Sequence, residues 1–160
     1  VGAYGVTPAL QALIEAHTEP QVEDGPTLAL GGTTYANALT MAAVRAALEE
    51  VLTEAAYQRV LALGAHLADG IDAALARHGL PWRAHRFGNR SGLCLGRTLP
   101  RNAVEASSCI SKPLNLALRA FLANRGIWEP IYIHGPSVSF AHTAADVDSY
   151  LDRLDAGLLL

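Results

Sequence analysis

The sequence predicts an α+β layer for most of the chain: short antiparallel strands covered on one face by helices. Three observations carry this. An apolar stripe at three- and four-residue steps runs through 54–78. Two short β-prone runs then flank the turn residues Gly88-Asn89. Helical apolar faces return at 111–122 and at 143–158.

The elements follow in order. Residues 1–6 read as the end of a strand. Thr7-Pro8 opens a short helix, since threonine caps well and proline suits the first helical position; Leu10, Leu13 and Ile14 form its apolar face. Residues 18–34 are polar and rich in Gly, Pro and Thr, which reads as a long loop. An Ala-rich helix is expected over 37–52, with Leu39, Ala43, Ala46, Ala47 and Glu50 at helical spacing. A second helix is expected over 54–78. Thr53 is its cap, Val60, Leu63, Leu67, Ile71 and Leu75 lie in its stripe, and Gly79 sits where a left-handed residue ends a helix.

Strands are expected at 82–87 and 92–95, and a loop over 98–109. Ser111-Lys112-Pro113 starts another helix, with Leu114, Ala117, Leu118, Phe121 and Leu122 on one side, ending at Gly126. Residues 127–133 and 137–141 read as strands, with Pro130 confining the first to an edge or bulge. Thr143-x-x-Asp146 is a capping box with Asp in place of Glu, and it opens a last helix carrying Val147, Tyr150, Leu151, Leu154 and Leu158.

Composition excludes several functions. The chain has 160 residues, 51% of them hydrophobic and 17% charged, with a net charge of −3. That much apolar surface argues against disorder. Eleven scattered arginines in an acidic chain do not make a nucleic-acid surface. No run reaches the roughly 18–20 apolar residues of a membrane span. The first residues lack the basic start and apolar core of a secretory signal, and a cytoplasmic protein is expected. Cys94 and Cys109, without C-x-x-C spacing, are expected to be reduced rather than paired. Lys112 is the single lysine, so lysine chemistry has one candidate here. A solvated helix start explains it.

Three segments carry a family resemblance. Val1-Gly2-Ala3-Tyr4-Gly5 resembles the stretch just after the cofactor lysine in class III pyridoxal-phosphate aminotransferases. Gly31-Gly32-Thr33-Thr34-Tyr35-Ala36-Asn37-Ala38-Leu39-Thr40-Met41-Ala42-Ala43 resembles the G-T-x-x-G-N-P-L-A-M-A-A segment of that family. Residues 125–128 and 139–148, with Ser139-Phe140-Ala141-His142-Thr143, look most like its glutamate-1-semialdehyde aminomutase branch.

The resemblance implies the C-terminal part of an α/β fold-type I transferase. Residues 1–40 would be a remnant of the large cofactor domain, with its strand, short helix and phosphate-side loop. Residues 41–160 would be a long linking helix and a small α+β domain with a short antiparallel sheet. It implies pyridoxal 5'-phosphate as cofactor and small-molecule amino donors and acceptors as substrates. It also implies a homodimer in which Thr33, with Gly32, binds the phosphate of the neighbouring subunit. Glycines allow close backbone approach, and a hydroxyl with N–H groups ahead of a helix makes an anion site. Ala36-Asn37-Ala38 departs from the family's Gly-Asn-Pro, which changes the backbone angles that are easy in this loop. Arg90, in the turn 88–92, is the candidate for binding a substrate carboxylate, with Arg86 as its rival.

The lysine that carries the cofactor is expected upstream of Val1, so the chain alone is expected to be inactive. His134 and His142 lack partners at ligand spacing and read as strand or turn residues. Asp146, Asp148, Asp152 and Asp155 read as the start and solvent face of the last helix. The competing reading is a non-catalytic α+β module that binds a partner through its sheet.

Overall fold

The computed structural model describes residues 5–17, 36–129 and 135–159. The chain divides into two compact units, Val1–Leu52 and Thr53–Leu160.

In the first unit, helix α1 spans Pro8–Ala16, and the Thr7 hydroxyl accepts from the Leu10 N–H at 3.3 Å. Helix α2 spans Ala38–Ala46; the Asn37 side chain caps it by accepting from the Thr40 N–H at 2.9 Å. The helix expected over 37–52 does not stay α-helical to its end. From Ala47 to Val51 it widens into a π-helical turn, in which the Leu52 N–H reaches back to the Ala47 carbonyl. The wider turn ends at Leu52, and Thr53 caps the next helix by accepting from the Ala56 N–H at 3.3 Å. Of the strand end expected at 1–6, residues 1–4 lie outside the described residues, and Gly5 and Val6 are not in a strand. The loop expected at 18–34 also lies outside them.

The second unit is organised around α3, Glu54–Arg77. Its buried residues are Val60, Gly64, Leu67, Ala68, Ile71, Ala74 and Leu75, which is the expected stripe with small residues between the large ones. Gly79, at φ +65°, terminates it as expected, and the Leu80 N–H bonds the Leu75 carbonyl. Strands β1 (Arg83–Phe87) and β2 (Arg90–Cys94) form an antiparallel hairpin that packs on α3. The Ala84 N–H also donates to Asp72 on that helix at 2.8 Å.

Three expectations in this unit are corrected. The loop expected at 98–109 contains a helix, α4 (Ala103–Ser108). Asn102 caps it by accepting from the Glu105 N–H at 2.9 Å, and the Glu105 carboxylate takes the Arg101 N–H at 2.8 Å. The strand expected at 137–141 is a single bridge between Ser137 and Arg90. After one further bond, from the Val138 N–H to the Asn89 carbonyl, the chain reverses, because His142 ties it back to Ser139. Residues 127–129 form no strand, and residues 130–133 of that expected run lie outside the described residues.

Helices α5 (Lys112–Ala123) and α6 (Ala144–Gly157) complete the layer. Leu118 and Leu122 from α5, Val147, Tyr150 and Leu154 from α6, and Val138 are all buried, and most join Ile71 and Leu75 in one cluster. The capping box forms as read: the Thr143 N–H donates to the Asp146 carboxylate at 2.8 Å, and the Asp146 N–H donates to the Thr143 hydroxyl at 3.4 Å.

Candidate functional site

The hairpin turn is fixed by backbone on two sides. Below it, Gly64 of α3 comes so close that an added Cβ would lie 2.6 Å from the Gly88 carbonyl oxygen and 2.9 Å from Asn89 Cα. Only a glycine admits this approach. Across it, the Ser91 N–H donates to the Pro136 carbonyl and the Val138 N–H to the Asn89 carbonyl. Gly135, at φ +71°, presses against Ser91 and Gly92; a Cβ there would overlap the Ser91 carbonyl oxygen. The Ser91 hydroxyl closes the assembly by donating to the Gly64 carbonyl at 3.3 Å.

Arg90 begins β2 on this platform and is exposed. Register places it opposite Phe87, whereas Arg86 lies opposite Ser91. Side chains alternate between the faces of a strand, so Arg86 and Arg90 point to opposite faces of the hairpin. They cannot grip one carboxylate together. Arg90 shares its face with Phe87, which is 85% exposed. Among the described residues, neither guanidinium has an ion-pair or hydrogen-bond partner. Other arginines are engaged: Arg59 donates to the Phe140 and His142 carbonyls, Arg77 pairs with Asp155, and Arg153 holds the Arg125 carbonyl.

Thr33 and Gly32, the expected phosphate ligands, lie outside the described residues, as do Tyr35 and His134. The described structure resumes at Ala36, which holds φ +48°. This is the position at which the sequence departs from a glycine, and the backbone keeps a glycine-type angle there. Asn37 and α2 follow. The Asn37 cap engages the Thr40 N–H, and the Met41 N–H bonds the Asn37 carbonyl. The N–H groups of Ala38 and Leu39, in the first turn, have no acceptor within the helix. Open N–H groups at a helix start are donors that favour an anion. Lys112 is exposed at the start of α5, next to its cap Ser111, as expected of a solvated helix-start residue.

Several histidines and aspartates are engaged in caps, turns and ion pairs. His142 Nδ1 accepts from the Ser139 N–H at 2.8 Å and lies 2.9 Å from the Ser139 hydroxyl, closing a turn. Hydrogen bonds from Thr143 hold the Asp146 carboxyl below the ordinary carboxylate range. Asp148 pairs with His66 at 2.6 Å, and Asp155 with Arg77 and His78. No cluster of three metal-ligating side chains occurs among the described residues. No described helix is long and apolar enough to cross a membrane.

One pair was not visible in the sequence. Glu129 and Tyr150 are both buried, and the tyrosine hydroxyl donates to the glutamate at 2.8 Å. Burial pushes the Glu129 carboxyl up, an effect partly offset by the Tyr150 hydroxyl and the Arg119 guanidinium. Burial, and then the neighbouring carboxylate, push the Tyr150 phenol well above its ordinary value. The pair borders a cavity of about 40 Å³ that His85 and Asn115 also line. That is room for a water and not for a substrate.

No family model matches the chain. Curated relatives and solved structures do. The glutamate-1-semialdehyde 2,1-aminomutase of Anaeromyxobacter dehalogenans is 33% identical over 116 residues, which cover 72% of this chain and 27% of the relative. A glutamate-1-semialdehyde aminomutase of Pseudomonas aeruginosa, a lysine-to-alanine variant solved in complex with PMP, superposes with a TM-score of 0.79 at 33% identity. The superposition covers 98% of this chain and 35% of that one. An omega-transaminase of Sphaerobacter thermophilus superposes with a TM-score of 0.71 at 26% identity, over 82% of this chain and 30% of its own. The chain thus spans about a third or less of the length of the proteins it matches.

Proposed function

We propose that this chain, which is related to the class III pyridoxal-phosphate-dependent aminotransferases and has the fold of their C-terminal part, supplies the phosphate-side loop and the substrate-side wall of such an enzyme. The observation that carries the reading is the superposition on an aminomutase over 98% of the chain. The reaction would move an amino group between an amino acid or amine and a keto acid or aldehyde, or within one molecule as in the aminomutases. Pyridoxal phosphate, when bound, supplies the electron sink for that chemistry.

The residues of this chain bind and orient. Thr33 donates its hydroxyl, and Gly32 its backbone N–H, to the phosphate of the neighbouring subunit, and the open first turn of α2 adds a favourable field. Dimerisation is then part of the site. Arg90 offers its guanidinium to a substrate carboxylate from the fixed hairpin turn. Lys112, exposed at a helix start, anchors no cofactor, and the 160-residue chain alone is expected to show no turnover.

A chimera tests this: the chain replaces the matching C-terminal third of the Pseudomonas aeruginosa aminomutase, with that enzyme's lysine intact. The chimera is expected to dimerise and to retain cofactor absorbance through gel filtration. Thr33→Ala is expected to weaken cofactor binding roughly 10- to 150-fold, the loss of one hydrogen bond to a charged group. Equal cofactor retention by Thr33→Ala would refute the phosphate role. A folded chimera without cofactor would favour the non-catalytic module, and turnover by the chain alone would refute its inactivity.

A further inference from the structure

Cys94 ends β2, and Cys109 follows α4. The segment between them forms a small lobe whose two ends are held side by side, because the Leu95 N–H donates to the Cys109 carbonyl at 3.1 Å. Both thiols converge on Gly96. A Cβ at that glycine would lie 3.4 Å from the Cys109 sulfur and 3.8 Å from the Cys94 sulfur. The Cys94 thiol donates to the Thr98 carbonyl at 3.7 Å, within the same lobe. Both are free. They differ in access: Cys94 is buried, at 3% exposure, whereas Cys109 is half-buried. Cys109 lines an open cleft of about 600 Å³ with Thr98, Leu99, Arg101 and Glu105.

We propose that Cys94 and Cys109 form a redox modification site, a dithiol that a small disulfide such as oxidised glutathione converts into an intramolecular disulfide. The Cys109 thiol loses its proton to solvent, and the thiolate attacks one sulfur of the reagent through the cleft. A mixed disulfide forms and one glutathione thiol leaves. Cys94 then loses its proton, attacks the Cys109 sulfur and expels the second glutathione. The protein has lost two protons and two electrons, and the reagent disulfide has taken them up to become two thiols. Burial and the neighbouring thiol push Cys94 up to about 11, so it is the resolving and slower partner. The product staples α4 to the end of β2. The resting state is the reduced one, as the sequence suggests, and the proposal is independent of the cofactor reading.

The test is intact-mass spectrometry of the full 160-residue chain after exposure to oxidised glutathione, with thiol titration before and after. A monomer that loses both titratable thiols, is lighter by two hydrogens and is restored by dithiothreitol supports the proposal. Ring closure is expected to be about tenfold faster in the folded chain than in urea, because the fold holds the sulfurs together. Cys94→Ser is expected to stop at the glutathione adduct on Cys109, and Cys109→Ser to stay unmodified until unfolded. Wild type that stops at the adduct, forms only intermolecular dimers, or closes no faster folded than unfolded would overturn the proposal.

Discussion

Replacing Glu129 by glutamine isolates the cost of a buried charge. The residue is 9% exposed, and its one described hydrogen bond comes from the Tyr150 hydroxyl at 2.8 Å. Glutamine keeps an oxygen acceptor for that hydroxyl and removes the charge. Because the folded carboxyl titrates above its ordinary value, the native state holds this proton more tightly than the unfolded chain does. The stability it contributes is present below the ordinary carboxylate range and is lost as pH rises through the raised value. Glu129→Gln therefore matches wild type near pH 4 and gains on it toward pH 8. Tyr150→Phe complements it. At pH 8 it strips a donor from a buried carboxylate, at a cost of about 1.5–3 kcal/mol. Made together with Glu129→Gln, it breaks only a neutral bond worth about 0.5–1.5 kcal/mol. The cycle should show a coupling of about 1 kcal/mol that vanishes at pH 4. Urea denaturation followed by circular dichroism at pH 4, 6 and 8 reads all four proteins. A constant offset between Glu129→Gln and wild type across that range would refute the buried-charge argument.

Other perturbations address the hairpin platform and the loop ahead of α2. Gly64→Ala gains about 1 kcal/mol of helix propensity but drives a methyl to 2.6 Å from the Gly88 oxygen; a net loss of about 1–3 kcal/mol is expected from the urea midpoint. Gly135→Ala combines a φ of +71° with overlap of the Ser91 oxygen, and is expected to lose more than Gly64→Ala in the same measurement. Ala38→Pro occupies the first position of α2, whose N–H the helix does not use, behind an Asn37 already extended at φ −67°, ψ 154°. It is expected to raise hydrogen-exchange protection of the α2 amides roughly 2- to 5-fold, by restricting the unfolded chain; reduced protection would show that Ala38 is not a free N1 position.

What could be read from the sequence was local. The α3 stripe, Gly79, the Gly88-Asn89 turn and the Thr143 box each depend on residues within a few turns of one another, and each formed. Helix α4 carried a local signal too, Asn102 followed three residues later by Glu105, but six residues are too few for an apolar period to show. The 137–141 run alternates as a strand does, but only Ser137 and Val138 find partners on the hairpin before His142 turns the chain. Glu129 and Tyr150 stand 21 residues apart, and nothing in either neighbourhood announces the other. For the candidate site, the sequence nominated both Arg86 and Arg90. Separating them took the register, which sets one opposite Ser91 and the other opposite Phe87.

That register sets Arg86 and Arg90 on opposite faces of one braced hairpin. A residue that is to orient a ligand gains from a backbone that does not move and a side chain not already engaged. The turn before Arg90 rests on Gly64, its far side is stitched to 136–138, and Gly135 lets the two backbones close to contact. The glycines at 64, 88 and 135 thus convert a five-residue strand into a fixed mount. Contrast Arg59, whose guanidinium is spent on the Phe140 and His142 carbonyls and so braces the turn it touches. The chain uses arginine in both ways within one layer. Arg59 ties the fold together, whereas Arg90 lies exposed beside Phe87 and is the guanidinium we propose for a ligand carboxylate.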